Sequence, residues 1–250
     1  ALWAFLGLCL VFNGLLIATQ SPYDRAFFND TSADAELLGQ RVDGEFLAGL
    51  SAMPETENRK LLLQSVAGLE DVFETYDTGE LADFYTGVVK TSPLAMEWMT
   101  WKYGLLAERV EHLSQTDAAL DLYAGPATYG RHQFLFGALF RAILGESAIL
   151  AMLGTLYLLG YEGLHQTEGL ACATRTGRRL WGVKLLAALP ASTVVYGLLA
   201  SFTLTPYFLL YDYGGIWSAS VSSQFNYFSD MLFVRPFLTW GDFTVGQYLT

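Results

Sequence analysis

Gly160-Tyr-Glu-Gly-Leu-His-Gln-Thr-Glu-Gly-Leu-Ala-Cys-Ala-Thr-Arg-Thr-Gly-Arg-Arg-Leu-Trp-Gly-Val-Lys184 lies between two long apolar runs and gathers Arg175, Arg178, Arg179 and Lys184 just ahead of the second. Two membrane spans joined by a short basic loop make a helical hairpin whose turn faces the cytoplasm, because Lys and Arg in short loops stay on that side. The loop, residues 162–184, therefore orients the chain on either side of it.

Downstream, 185–211 is a third span. Pro190 and Pro206 allow kinks in it, Ser192 and Thr193 carry hydroxyls that can re-satisfy freed backbone groups, and Tyr207, Tyr211 and Tyr213 form an aromatic belt at its far end. Upstream, 134–161 returns to apolar character and is broken by Arg141 and Glu146. Ile143–Tyr161 is long enough to span, since about 20 residues at 1.5 Å each cross a core about 30 Å thick. Phe134-Leu-Phe-Gly-Ala-Leu-Phe140 reads as an interfacial helix leading into it. Residues 1–18 are apolar throughout except for Asn13. They read as the first span rather than a cleaved signal, since no basic region precedes them and further spans follow. The chain starts inside this run and stops after Val245-Gly-Gln-Tyr-Leu-Thr250 with no terminus signal, so it is expected to be an internal piece of a longer protein.

Between the first two spans lies a polar insert, 19–133. It holds 19 Asp/Glu against 8 Lys/Arg, which accounts for the whole formal charge of −11, because the remaining residues hold six of each sign. An acidic insert argues against nucleic acid as a partner. Apolar residues recur at helical spacing in Ala35–Val42, Glu45–Leu50 and Lys60–Phe73. Ser92-Pro93 supplies an N-cap followed by Pro at the first helical position. Leu94, Trp98, Trp101 and Leu105 follow at steps of four, three and four, a stripe read as core. The expectation is an all-α membrane protein of three transmembrane helices, with a helical extracytoplasmic insert of three to five helices between the first and second. Residues 212–250 are aromatic-rich and read as an extracytoplasmic loop with short interfacial or re-entrant pieces.

Candidate chemistry is sparse. Arg141 and Glu146 are ionisable groups within a span, where charge is costly and marks a pathway, a gate or a pairing within the bundle. Glu162, His165 and Glu168 place two carboxylates and an imidazole near one helical face. The Glu-x-x-His spacing occurs in di-iron bundles, but no matching set from other helices is visible. An intramembrane enzyme using Glu146, Glu162 and His165 would need a nucleophile and a base, and nothing pairs these groups. Arg175, Arg178 and Arg179 suit lipid phosphates or a partner protein, and Gly177 before the arginine pair suggests a turn. His112, His132 and His165 are scattered. Cys9 and Cys172 fall in different segments, so no disulfide is expected. Asn29-Asp-Thr31 matches a glycosylation sequon, a pattern common by chance. There is no P-loop, GxGxxG, HExxH or GxSxG motif. No catalytic, cofactor-binding or metal-ligating set is assigned.

Tyr161-Glu162, Thr167-Glu168-Gly-Leu, Ala173-Thr-Arg-Thr-Gly-Arg-Arg179 and Lys184-Leu-Leu-Ala-Ala-Leu together resemble the permease subunits of type-2 ATP-binding-cassette exporters. A large insert after the first span is similar to some bacterial members, and Thr244-Val-Gly-Gln-Tyr-Leu249 resembles the approach to a fourth span. The resemblance covers about residues 130 to 250. It implies a multi-pass, non-catalytic subunit of the cell membrane with six spans, three of them outside this sequence. It also implies pairing with a second permease subunit in a homo- or heterodimer, and docking on a cytoplasmic ATPase. Residues 162–174 would be the coupling helix, with Arg175, Arg178, Arg179 and Lys184 completing the coupling loop. The alternative is a membrane-anchored sensor or assembly protein whose acidic ectodomain binds an extracellular partner.

Overall fold

The computed structural model describes residues 2–88, 92–173, 180–229, 234–236 and 241–249. The chain divides into two compact units, Ala1–Ser21 with Gln133–Tyr211 and Pro22–His132 with Asp212–Thr250.

The first unit is a bundle of α1 (Leu2–Ala18), α9 (Phe140–Leu159, entered through a π-helical turn, Gln133–Leu139) and α12 (Leu180–Leu210), each packed on the other two. Between α9 and α12 run two short helices, α10 (Tyr161–Leu164) and α11 (Glu168–Ala173). The helical stretch Gly125–Leu159 and the helix Leu180–Leu210 are long and apolar enough to cross a membrane, and α1, counted as one span with the helix that follows it at Pro22–Leu38, brings the number of candidate spans to as many as three. The bundle turns its apolar side chains outward: Leu8, Val11, Met152, Leu156, Leu186, Leu189, Phe202 and Leu209 are all exposed. So large an apolar exterior suits hydrocarbon and not water, and the chain is an all-α membrane protein. Where α9 and α12 meet, Ala151, Gly154, Thr155, Ala188, Ala191 and Ser192 line a cleft of about 180 Å³, the small-residue seam that lets membrane helices approach closely.

The third helix already includes Leu180 rather than starting near residue 185, so Lys184 is helical and not part of a loop. At 1.5 Å per residue its 31 residues extend about 46 Å, more than an apolar core requires. Pro190 and Pro206 lie inside it. The hydroxyls of Ser192 and Thr193 donate to the carbonyls of Ala188 and Leu189, 2.8 and 3.1 Å away. The carbonyl that Pro190 leaves without its helical donor is that of Leu186, so these bonds do not replace the lost one.

The second unit contains α2 (Pro22–Leu38), α3 (Gly44–Ala52), α4 (Glu57–Val66), α5 (Val72–Thr75), α6 (Thr78–Val88), α7 (Pro93–Ser114) and α8 (Thr128–His132). Five of these have nine or more residues, and α5 and α8 are single turns. The periodic stretches Ala35–Val42 and Lys60–Phe73 are each cut short, at Leu38 and Val66. Gly39 and Gly68, with φ of 92° and 76°, sit one and two residues beyond those ends in the left-handed region. Asp43, Thr56 and Asp71 cap α3, α4 and α5. Ser92 accepts the Ala95 N–H at 3.3 Å with Pro93 at the first position, as the Ser-Pro pair predicts.

The stripe on α7 is not core. Leu94, Trp98 and Trp101 are 77, 54 and 60% exposed. The helix buries a different face, Tyr103, Val110 and Leu113, with Leu106 partly buried; the last three join Phe73, Ala118 and Ala119. Both faces carry apolar residues at helical spacing, and the contacts with α5 and α6 decide between them.

The described residues between 212 and 249 are not a separate loop but part of this unit. Ile216, Ala219, Val221 and Val245 are fully buried. The Asp212 N–H donates to Asn29 Oδ1 at 2.9 Å, the Gly215 N–H to Ser32 Oγ at 3.2 Å and the Ser220 N–H to Asp121 Oδ2 at 2.8 Å. Gly215 fits because it lacks a side chain: a Cβ there would stand 2.1 Å from the Ser32 carbonyl oxygen. A two-stranded antiparallel ribbon, β1 (Tyr227–Ser229) with β2 (Val234–Pro236), and the turn α13 (Val245–Leu249) complete the segment.

Candidate functional site

Each bundle helix presents a narrow inward stripe. On α1 it is Cys9, Asn13 and Ile17, on α12 Leu199, Thr203 and Tyr207, and on α9 Ile143 and Leu150 with Glu146 between them. Steps of three and four residues put each set on one face. The polar member is central in every stripe, so the three form one layer with apolar layers on either side. Asn13 and Thr203 are only 1 and 2% exposed. The Asn13 amide nitrogen donates to Glu146 Oε2 at 2.8 Å and to Thr203 Oγ1 at 3.1 Å, and thereby ties all three helices through one side chain. The Asn13 Oδ1 is buried without a partner. Intramembrane hydrogen bonds of this kind average about 0.6 kcal/mol and reach about 1.7 kcal/mol, so the layer contributes more to alignment of the helices than to cohesion.

A second polar cluster closes the hairpin. Lys184 Nζ donates to the Leu158 carbonyl at 2.6 Å and pairs with Glu162 Oε2. The ammonium therefore sits on the last turn of α9, where a helix leaves carbonyls without donors and favours positive charge. The hydrogen bond from Lys184 holds the Glu162 carboxyl below the usual glutamate range.

The remaining predicted residues do not share one helical face. His165 lies over Tyr161 with ring centroids 4.1 Å apart, its Nδ1 2.8 Å from the Tyr161 carbonyl oxygen. Glu168 opens α11, past a break. The break has a local cause: Gln166 takes a left-handed conformation (φ 56°), and the Gln166 and Thr167 N–H groups donate back to the carbonyls of Gly163 and Glu162. That pair of bonds ends a helix in the Schellman manner, so the single coupling helix expected over 162–174 is two short ones. Arg175, Gly177, Arg178 and Arg179 lie outside the described residues, as does the Cys172 side chain. Arg141 donates to the Gly137 carbonyl, one turn back. Glu146 lies in the first half of α9 and Glu162 on α10 past its end, with about 20 Å of helix between them, which removes any joint chemistry.

The three histidines occupy three separate sites. His112 Nε2 and Arg109 Nη1 both reach Asp242, at 2.8 and 2.6 Å, and together hold its carboxyl below the usual range. His132 is buried among Tyr123 and Tyr248. Among the described residues no three His, Cys, Asp or Glu side chains converge as a metal site would require.

Asn13 is the member of this layer that sequence reasoning passed over. The signal was present: the one amide in an otherwise apolar run, four residues from both Cys9 and Ile17 on the face that turns inward. Compared with protein-family models, curated proteins and solved structures, the chain shows no significant match to any.

Proposed function

We propose that this chain is the membrane-spanning permease subunit of an ATP-driven exporter of a hydrophobic or amphipathic compound, with ATP hydrolysed by a separate cytoplasmic subunit. The observation that carries the reading is the clasp of Lys184 on Glu162 and on the end of α9. It ties α12 to the end of α9 and to α10, so a push on α10 is delivered to two spans at once. The cleft between α9 and α12 and the polar layer give those spans something to rearrange during alternating access. ATP-driven closure would move α10 and α11, and with them the two helices.

The test is purification of the full chain from its native membrane with its associated proteins. Co-purification of a P-loop ATPase whose activity falls on reversing Arg178 and Arg179 to Glu, with membrane insertion unchanged, supports the reading. Normal coupled activity in that variant, or no ATPase in the preparation, overturns it.

A second reading rests on the exposed Leu94, Trp98 and Trp101 face. It makes the polar unit a receptor for an extracellular partner and the bundle its anchor. Deleting the insert does not separate the two readings, because 212–249 depends on it for packing. Replacing Trp98 and Trp101 by Ser does: transport unchanged favours the permease, and loss of function with ATPase coupling intact favours the receptor.

A further inference from the structure

We propose that Glu146 is a proton-binding site: it carries a proton while the three helices are closed on it, shares that proton with the Asn13 amide, and releases it when the helices separate. The proposal does not rest on the permease reading.

Three observations converge. First, Glu146 is the one acid in the sequence of α1, α9 and α12, and Arg141 and Lys184 are the two bases. Both bases are engaged elsewhere, Arg141 with the Gly137 carbonyl and Lys184 with Glu162 and Leu158. The other titratable groups on these helices are the Cys9 thiol, one turn before Asn13, and Tyr157, Tyr196 and Tyr207, none of which supplies a positive charge. Second, the carboxyl makes no ion pair among the described residues, and its partner is a neutral amide. An ionised carboxylate in such surroundings is strongly disfavoured relative to its neutral acid. Third, the same amide holds an oxygen, Asn13 Oδ1, that is sealed from solvent and lacks a donor. A carboxylic acid supplies what is missing. With the Asn13 N–H donating to Oε2, a proton from water forms an O–H bond on Oε1, and that O–H donates to Oδ1. Acid and amide then satisfy each other mutually, which removes the cost of a buried acceptor with no partner.

The linkage has a definite sign. The closed bundle binds a proton that the separated helices, hydrated at Glu146, release; low pH therefore favours closure and rising pH weakens it.

The full chain in phospholipid nanodiscs is treated with dicyclohexylcarbodiimide, an apolar reagent that converts protonated membrane carboxyls to stable N-acylureas, and the adduct is located by peptide mass spectrometry. The expected result is an adduct on the Glu146 peptide that increases as pH is lowered and is absent from Glu146→Gln. That variant replaces the acid O–H by an amide N–H, so its bundle should keep wild-type stability at low pH and lose the dependence on pH. An unlabelled Glu146 at the lowest pH that preserves the fold overturns the proposal, as does labelling that does not change with pH. If Glu146→Gln fails to fold, labelling of the wild-type chain alone decides.

Discussion

The bundle and the polar unit hold polar groups by opposite means. In the polar unit the carboxylate of Asp34, 1% exposed, is held by three hydrogen bonds from Arg59 at 2.7 to 3.1 Å. In the bundle, Glu146 is given an amide and Thr203 a share of the same amide. Opposite charge resolves the first case, and the second is resolved without it. The difference shows what each solvent permits: a helical insert facing water can leave a guanidinium partly solvated, whereas hydrocarbon rewards groups that can be neutral.

The comparison breaks most visibly at Arg59. Arg59→Met strands a buried Asp34 and should cost the polar unit about 3–5 kcal/mol, read from denaturant unfolding followed by tryptophan fluorescence. A loss below about 1 kcal/mol would mean that Asp34 is not buried as an ion. Next comes Gly215→Ala, where the added methyl collides with backbone. Overpacking of about 1–3 kcal/mol should undock 212–249 and raise protease cleavage there, with the bundle unaffected. In the bundle, Asn13→Leu should cost about 1–2 kcal/mol, less than Arg59→Met because Glu146 can respond by staying neutral; helix separation in a mild detergent titration measures it. An equal or larger loss would erase the contrast.

The smallest effect is at the hairpin. Lys184→Met should speed amide exchange at the end of α9 without global unfolding. Because the bond from Lys184 lowers the Glu162 carboxyl, its contribution is complete above the ordinary glutamate value, about pH 4.3, and is lost as pH falls through the lowered one. The difference between wild type and Lys184→Met should therefore narrow in strong acid to what the Leu158 carbonyl bond contributes, which exchange measured across pH will show.

The sequence made legible what depends on local pattern. Three apolar runs, a polar helical insert, the Ser92 cap and the isolation of Glu146 follow from periodicity and composition. What escaped depends on partners distant in the chain. Tyr103 and Val110 won over Trp98 and Trp101 because α5 and α6 pack on one side of α7. Nothing near Gly215 announces that it faces Ser32, 183 residues earlier. Glu162 and Lys184 stood out separately as family-like positions, but their contact with each other brings together residues 22 apart in sequence, on α10 and α12. Gln166 hid its break because a left-handed glutamine has no compositional mark.

The docking of 212–249 on α2 has a consequence for biogenesis. A ribosome releases 22–132 long before it releases Gly215, and all of α9 and α12 must be made in between. The insert thus waits, unfinished, with the site for Ile216 open to water. Loop closure over such a separation is slow, and half-formed domains of this kind attract chaperones and aggregate. The final strut of the insert arrives only after the third helix has been synthesised, so completion of the polar unit reports that α9 and α12 have been made.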